Sequence, residues 1–581
     1  MARRSMELKH SDRTRQSDAI WLGNLPPSTR VDITIGVRAP SLPHALDPKA
    51  RPLELDEIVC RHGASPEDLH HVAYVLARYD IWCERPSGTR RYLRATGTSA
   101  AMYQAFGVRL GVFSTREQSA YRGREGGLTV PAELHGVITG VYGLDQRLIA
   151  RRHGMCTSAP HHKSQTPREA PIAPADAERL YELPPGGARG QVIGVAEFGV
   201  LSGDPAQRPT YLPDDLLQYW RTHGIEGRMP QIRPVNLEPN VLSGLHWERR
   251  LLSWSQAERD AVWGQALETM IDLEILTSLC PDATVRAYFA SLDQKGWIDL
   301  LDAVADDGPD RPQVLSISWG LAENAAVWSG SGRRAIDEQL KIMAMMGVTV
   351  CASAGDDGAA SLFPLAVPQE DSKPCVEFPA SSSNVLAVGG TMLQWRGRTL
   401  HEMAWRSSPG WRKPGTKGGA TGGGVSGHHA MPSWQEPVTT EMQRVPKRRV
   451  VPDVAALAGP PCWDAVVLGE SHAVSGTSAA TPLWAALLAR INAELRPCGA
   501  GLFYTPWLYA DDPRGGRVGE SGCRDIDEGN NASQLPGQGY CSAKGFDAVT
   551  GWGVPRGRSL LEALRRAGAG CRCACCCPRS D

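Results

Sequence analysis

No stretch of this 581-residue chain reaches 18 consecutive apolar residues, so it offers no hydrophobic helix long enough to cross a bilayer. Neither sign of charge is in excess. With 62 Lys+Arg against 63 Asp+Glu, nothing points to nucleic acid or an anionic membrane as the main partner. Of the 15 cysteines, those before residue 571 form no CxxC pair, which removes the zinc-ribbon pattern. The rest crowd into a Cys-rich stretch, 569–581, that reads as an unstructured tail. Residues 1–18 are polar, with no apolar h-region, so no Sec-type signal is visible. At 42% hydrophobic and 22% charged, the chain has globular composition, and its length allows more than one domain.

Residues 1–28 are expected to be a disordered arm. Val31, Ile33, Ile35 and Val37 alternate with polar or small residues, as in a half-buried strand. Ser65-Pro-Glu-Asp68 opens a helix that runs to about Tyr79. A strand near 90–95, a helix from Ser99 and another after Pro131 complete a small α+β domain over 29–150. Residues 151–177 have no hydrophobic period and read as a linker open to proteolytic processing. Beyond it, apolar runs at Val192–Phe198, Thr284–Phe289, Val314–Ser318, Val348–Ala352 and Val385–Val388 alternate with helical stretches such as Gln265–Leu279 and Arg334–Met345. That rhythm predicts a mainly parallel sheet covered on both faces, an α/β domain over 178–568.

Ser478 lies in Ser475-Gly-Thr-Ser-Ala-Ala-Thr-Pro482, at the start of an apolar helix. Backbone N–H groups and the helix dipole favour negative charge there, which suits a nucleophile whose attack creates an oxyanion. The string resembles the nucleophile motif of subtilisin-like serine peptidases. Those enzymes take their base from a His-Gly-Thr motif. The four His-Gly pairs here, at His62, His135, His153 and His223, are followed by Ala, Val, Met and Ile, so another group must serve. Glu268 and Asp272 are i, i+4 on one face of a helix that Leu267, Ile271 and Ile275 make largely buried. Two carboxyls so placed repel unless they share a proton. A third acid, Asp356, stands in Ser353-Ala-Gly-Asp-Asp-Gly358, directly after an apolar strand, where α/β enzymes place working groups.

In this order the three motifs resemble the sedolisins, the serine-carboxyl peptidases. Ser316-Ile-Ser-Trp-Gly320, Phe378-Pro-Ala-Ser-Ser382, Gly422-Gly-Gly-Val-Ser426 and Val451-Pro-Asp-Val454 extend the match over about 175–565. The domain at 29–150, ending Val141-Tyr-Gly-Leu-Asp145, resembles the family's activation propeptide. The resemblance implies a subtilisin-like catalytic domain preceded by that propeptide. It also implies a pro-enzyme that processes itself and then hydrolyses peptide bonds in acid. Glu268 would be the general base for Ser478, Asp272 would hold Glu268, and a protonated Asp356 would donate to the oxyanion. Glu197 and Trp319 would extend the acid network. Asp525, Asp547 and the carbonyls of Ile526, Ala543 and Gly545 match the family's site for one Ca2+, with Ala543 where a Gly is usual. Its carbonyl serves only if its φ stays negative. The partners implied are protein or peptide substrates and the propeptide itself as intramolecular inhibitor, at a secreted or extracytoplasmic location. Endopeptidase activity is the first expectation and tripeptidyl-peptidase activity the alternative. A catalytically silent binding protein would have no chemical need for all four acting residues. A Ser-His-Asp subtilase lacks its His motif here, and an α/β-hydrolase lacks its late His. Cys523 and Cys541 flank a Gly/Asn-rich loop, and their pairing is open. Residues 235–264, with Trp247, Trp254 and Trp263, match nothing closely.

Overall fold

The computed structural model describes residues 5–115, 118, 120–152, 155–156, 170–199, 211–225, 230–237, 256–360, 374–408, 410, 418–439, 447–497, 499–533 and 539–570. Most of the linker 151–177, the tryptophan-rich part of 235–264 and the Cys-rich tail lie outside them.

The N-terminal domain is built on an antiparallel sheet in the order Trp82–Pro86, Tyr92–Thr98, Arg30–Val37, Ile138–Tyr142. Ile33 and Ile35 face one side and share a core with Leu69, Val72 and Leu76 of helix Pro66–Ala77 and Met102 and Phe106 of helix Ser99–Phe106. Ser65 and Thr98 cap these helices through their side chains. The expected helix after Pro131 is a single 3-10 turn, Ala132–Leu134, because the chain leaves it at once to form the next strand. The arm expected to be disordered is not so in its described part. Ser5–Arg13 pairs with Gly126–Pro131, and Ile20–Asn24 pairs with Gly111–Ser114. Its buried positions are Leu8, Ser11 and Arg13, so no apolar alternation announced a strand. Pairing and polar contacts hold it instead: Ser11 donates to the Leu8 carbonyl and accepts from Leu128 N–H.

The other face of this sheet, carrying Thr34, Tyr92 and Tyr142, lies on helices Gln294–Ala305 and Gly330–Met345 of the second domain. Thr34 donates to Asp299 at 2.7 Å. Asp302 accepts from the backbone of Gly88 and from the backbone and hydroxyl of Thr89. Arg91 pairs with Glu338 at 2.9 Å, and Arg13 donates to the Val327 carbonyl.

The second domain is organised by an eight-stranded sheet among the described residues. Its order is Gln231–Asn236, Thr284–Ser291, Val192–Gly199, Val314–Ile317, Thr349–Ser353, Leu386–Arg396, Thr399–Ala404, with Val454–Leu457 pairing along Leu386–Arg396. All pairings are parallel except that of the Thr399–Ala404 hairpin strand. Helices Gln256–Leu279 and Thr477–Leu495 cover one face and Gln294–Ala305 and Gly330–Met345 the other, each face closing its own apolar core. This is the expected α/β architecture. Helix Thr477–Leu495 is buried on nearly all sides, as its unbroken apolar run requires. Cys523 is a buried free thiol and Cys541 an exposed one, so they form no disulfide.

Candidate active site

Ser478 is the second residue of helix Thr477–Leu495. Gly476 turns the chain from strand into helix at φ 142°, a value an L-residue adopts only under strain. The Ser478 hydroxyl donates to Oε1 of Glu268, which projects from the neighbouring buried helix Gln256–Leu279. One turn further along that helix, Asp272 lies 2.8 Å from the Ser318 hydroxyl through each of its oxygens. Glu197, in strand Val192–Gly199, accepts from Trp319 Nε1 at 3.3 Å and from the Thr269 hydroxyl at 3.2 Å. Asp356 follows strand Thr349–Ser353. Its Oδ1 accepts from both the backbone N–H and the hydroxyl of Thr477, each at 2.8 Å. The fold thus brings Glu197, Glu268, Asp272, Trp319, Asp356 and Ser478 together from five separate chain segments.

All four carboxyls are buried to 1% exposure or less, and that burial sets the electrostatics. Glu197 is pushed up to about 8, first by desolvation and then by the charge of Glu268. Asp272 is held well above the usual carboxylate range by desolvation, with Glu197 and Glu268 adding to it and the Ser318 hydroxyl opposing. The cluster therefore keeps protons that exposed acids release.

Sequence reasoning passed over Ser318 and Thr477 as individual contributors. Ser318 sits inside the quoted Ser-Ile-Ser-Trp string, at the junction between strands Val314–Ile317 and Trp319–Ala322. Thr477 looked like an ordinary helix-opening residue, and only the fold places it against Asp356.

Two short segments of the linker lie along the site. Arg151 and Arg152 pair antiparallel with Gly320 and Trp319. Met155 and Cys156 pair antiparallel with Ser475 and Val474, just before the nucleophile turn. These two described segments thus pair with strands on either side of the nucleophile turn.

Among the described residues no cluster of three His, Cys, Asp or Glu side chains is arranged to hold a metal. The predicted calcium residues are nonetheless gathered in one place. Asp547 accepts from the backbone of Ala543, Val549 and Thr550, and Asp525 accepts from Gly545 N–H at 2.7 Å. Asp547 is pushed up to about 6 by burial, with Asp525 adding to the rise. Ala543 keeps a negative φ, while Gly545 takes +84°. Two neighbouring carboxylates are the kind of donor a hard, oxygen-preferring cation takes.

A buried Ser paired with a carboxylate, on a parallel sheet with the nucleophile at a helix start, defines a subtilisin-like serine peptidase. The subtilase family model matches residues 262–498, and the model of the pro-kumamolisin activation domain matches 22–147. Kumamolisin of Bacillus sp. (strain MN-32) is 32% identical over 532 residues, covering 90% of this chain and 87% of that protein. The tripeptidyl-peptidase sed5 of Aspergillus fumigatus is 26% identical over 591 residues, covering 94% and 95%. The solved structure of Pseudomonas sedolisin, a serine-carboxyl proteinase, superposes with a TM-score of 0.52 at 24% identity, over 70% of this chain and 99% of that one. The chain belongs to the sedolisin family of serine-carboxyl peptidases and carries the family's N-terminal activation domain.

Proposed function

We propose that this protein is a self-processing pro-enzyme whose mature form is an acid-acting endopeptidase, with Ser478 as the nucleophile. The observation that carries this reading is the Ser478–Glu268 hydrogen bond, with linker residues 151–152 and 155–156 paired on either side of the nucleophile turn. Glu268 takes the proton as Ser478 Oγ attacks the scissile carbonyl. Asp272, oriented by Ser318, holds Glu268 and shares its proton load. Asp356, fixed by Thr477, is protonated and donates to the tetrahedral oxyanion, since a carboxylate has no proton to give. Glu268 passes that proton to the leaving nitrogen as the intermediate collapses, which expels the amine, leaves the acyl-enzyme and frees Glu268 to act as base again. Water, deprotonated by Glu268, then releases the acid.

Acid operation follows from burial. Glu197 and Asp272 are neutral where exposed acids have ionised, and filling the cluster with negative charge as pH rises opposes both the geometry and the Asp356 proton. The endopeptidase reading is supported by the course of the linker. Ile149 N–H bonds the Leu292 carbonyl, Arg151 and Arg152 pair with the cleft strand, and the chain continues back into the propeptide. Linker segments paired on both sides of the nucleophile turn suit cleavage at an internal bond. The processing bond is assigned to the stretch between Arg152 and Met155, which the two pairings bracket.

Release of the propeptide depends first on that cut. Burial raises the pKa of Asp302, so Asp302 alone favours docking in acid. The ion pairs Arg91–Glu338 and Arg311–Glu54 also cross the interface. Asp525, Asp547 and the carbonyls of Ile526, Ala543 and Gly545 would hold one Ca2+, which ties two C-terminal loops together.

The test is an acid shift on wild type, Ser478→Ala and Glu268→Ala, following propeptide loss by mass and cleavage of an unstructured protein from about pH 3 to 8. Processing and cleavage by wild type alone are expected. A folded wild type that is inert throughout would overturn the reading.

A further inference from the structure

Glu274 takes no part in the chemistry above, yet it is fully buried. It lies on helix Gln256–Leu279, shortly after Asp272. Its Oε1 accepts from Val466 N–H at 3.0 Å. Val466 belongs to the hairpin Trp463–Val467/Glu470–Ser475, whose second strand runs straight into Gly476-Thr-Ser478. The inner edge of that second strand pairs with Met155–Cys156.

The outer edge of the hairpin has no full strand beside it among the described residues. Its outward N–H groups recur every second residue, and each finds an acceptor. Asp464 N–H bonds the Ile172 carbonyl, Val466 N–H bonds Glu274, and Leu468 N–H bonds Asp215 of helix Pro213–Thr222 at 2.5 Å. Asp215 also takes Gly469 N–H at 2.9 Å, so it grips the turn, where Leu468 and Gly469 both have positive φ. Two buried carboxyls thus stand in for a missing neighbouring strand.

We propose that Glu274 and Asp215 are positioning residues for the leaving-group side of the cleft, clamping the hairpin whose inner edge holds the substrate chain beyond the scissile bond. This rests on the reading that the linker lies in the cleft as a substrate would. The helix that presents Glu268 to Ser478 also presents Glu274 to the hairpin, so base and leaving-side platform are referred to one rigid element.

The groups facing Glu274 are Asp464 from the hairpin, Asp215 and Tyr219 from helix Pro213–Thr222, and Ser278 from its own helix. His223 Nε2 meets Asp464 at 3.0 Å. Among the described residues no cation is recorded against Glu274 itself. Burial first, then Asp464 and Asp215, hold it well above the usual carboxylate range. It is therefore neutral where the enzyme works, and Gln matches it in shape and as an acceptor for Val466.

The experiment uses enzyme made as the full chain and allowed to process itself, with two peptides that share the same acyl part. One continues for several residues after the scissile bond, and the other ends there in an anilide. Glu274→Ala is expected to raise KM for the extended peptide about tenfold while leaving the anilide KM within about twofold. Glu274→Gln is expected to restore wild-type behaviour on both, and Asp215→Ala to reproduce the split if Glu274→Ala folds poorly. Equal losses on both peptides, or a folded Glu274→Gln as impaired as Glu274→Ala, would overturn the proposal. Wild type that cleaves neither peptide overturns the peptidase reading instead, so the two failures are distinguishable.

Discussion

Ser318 and Asp272 meet through one hydroxyl and two carboxylate oxygens, each 2.8 Å away. Ser318 sits directly before Trp319, whose indole bonds Glu197. Two consecutive residues at one strand junction therefore orient two members of the acid cluster. Ser318→Ala removes a hydrogen bond that favours the ionised form of Asp272, so Asp272 rises further and loses its fixed rotation. A hydrogen bond to a neutral acid contributes about 0.5–1.5 kcal/mol, so kcat is expected to fall by roughly two- to tenfold with KM nearly unchanged. Steady-state kinetics on a short peptide checks this.

Cleavage during activation is expected between Arg152 and Met155. N-terminal sequencing and intact mass of the first product after acid shift read the position directly. A first cut beyond residue 160 would show that the pairings with Trp319 and Ser475 do not hold the bond that is processed.

Glu197→Gln is expected to widen the stable pH range upward. The folded value of Glu197 is about 8, above its ordinary 4.5, so its contribution to stability is fully present below about 4.5. That contribution is lost as pH rises through about 8. Removing the titration should raise Tm at pH 7.5 relative to wild type and leave Tm at pH 4 nearly unchanged. Activity should fall modestly, because Trp319 loses a charged or acidic partner.

Calcium is expected to raise Tm, and Asp547→Asn to abolish that response. Burial pushes Asp547 up to about 6, so in acid protons compete with the cation for it. The calcium-dependent rise in Tm should shrink between about pH 7 and pH 5. Thermal unfolding with calcium and with a chelator at several pH values measures this.

Ser478→Ala should leave the full-length chain intact after prolonged acid incubation, with catalysis reduced by about 10^3-fold or more. Its Tm should remain close to that of wild type, since the substitution deletes one hydroxyl from a buried helix start.

Local sequence determined a great deal here. The apolar runs at Val192, Thr284, Val314, Val348 and Val385 announced buried parallel strands because such strands need apolar side chains on both faces. Glu268 and Asp272 could be placed on one helix face because the helical period is fixed. Ser478 was legible because the turn, the helix start and the small residues around it each constrain the sequence.

Other features were decided only by tertiary structure. The strand Ser5–Arg13 has a polar sequence, and it exists because Gly126–Pro131 offers an edge and Arg13 reaches the second domain. The Asp356–Thr477 and Ser318–Asp272 contacts join residues more than 40 positions apart, and no local period encodes such pairings. Glu274 reads in the sequence as one more acid beside Asp272. Only the hairpin folded against its helix makes it the acceptor for Val466, because a buried N–H must find a partner wherever the fold puts one. Residue identity thus set the elements and the chemical groups, and the packing of distant segments set which groups meet and which of them keep their protons.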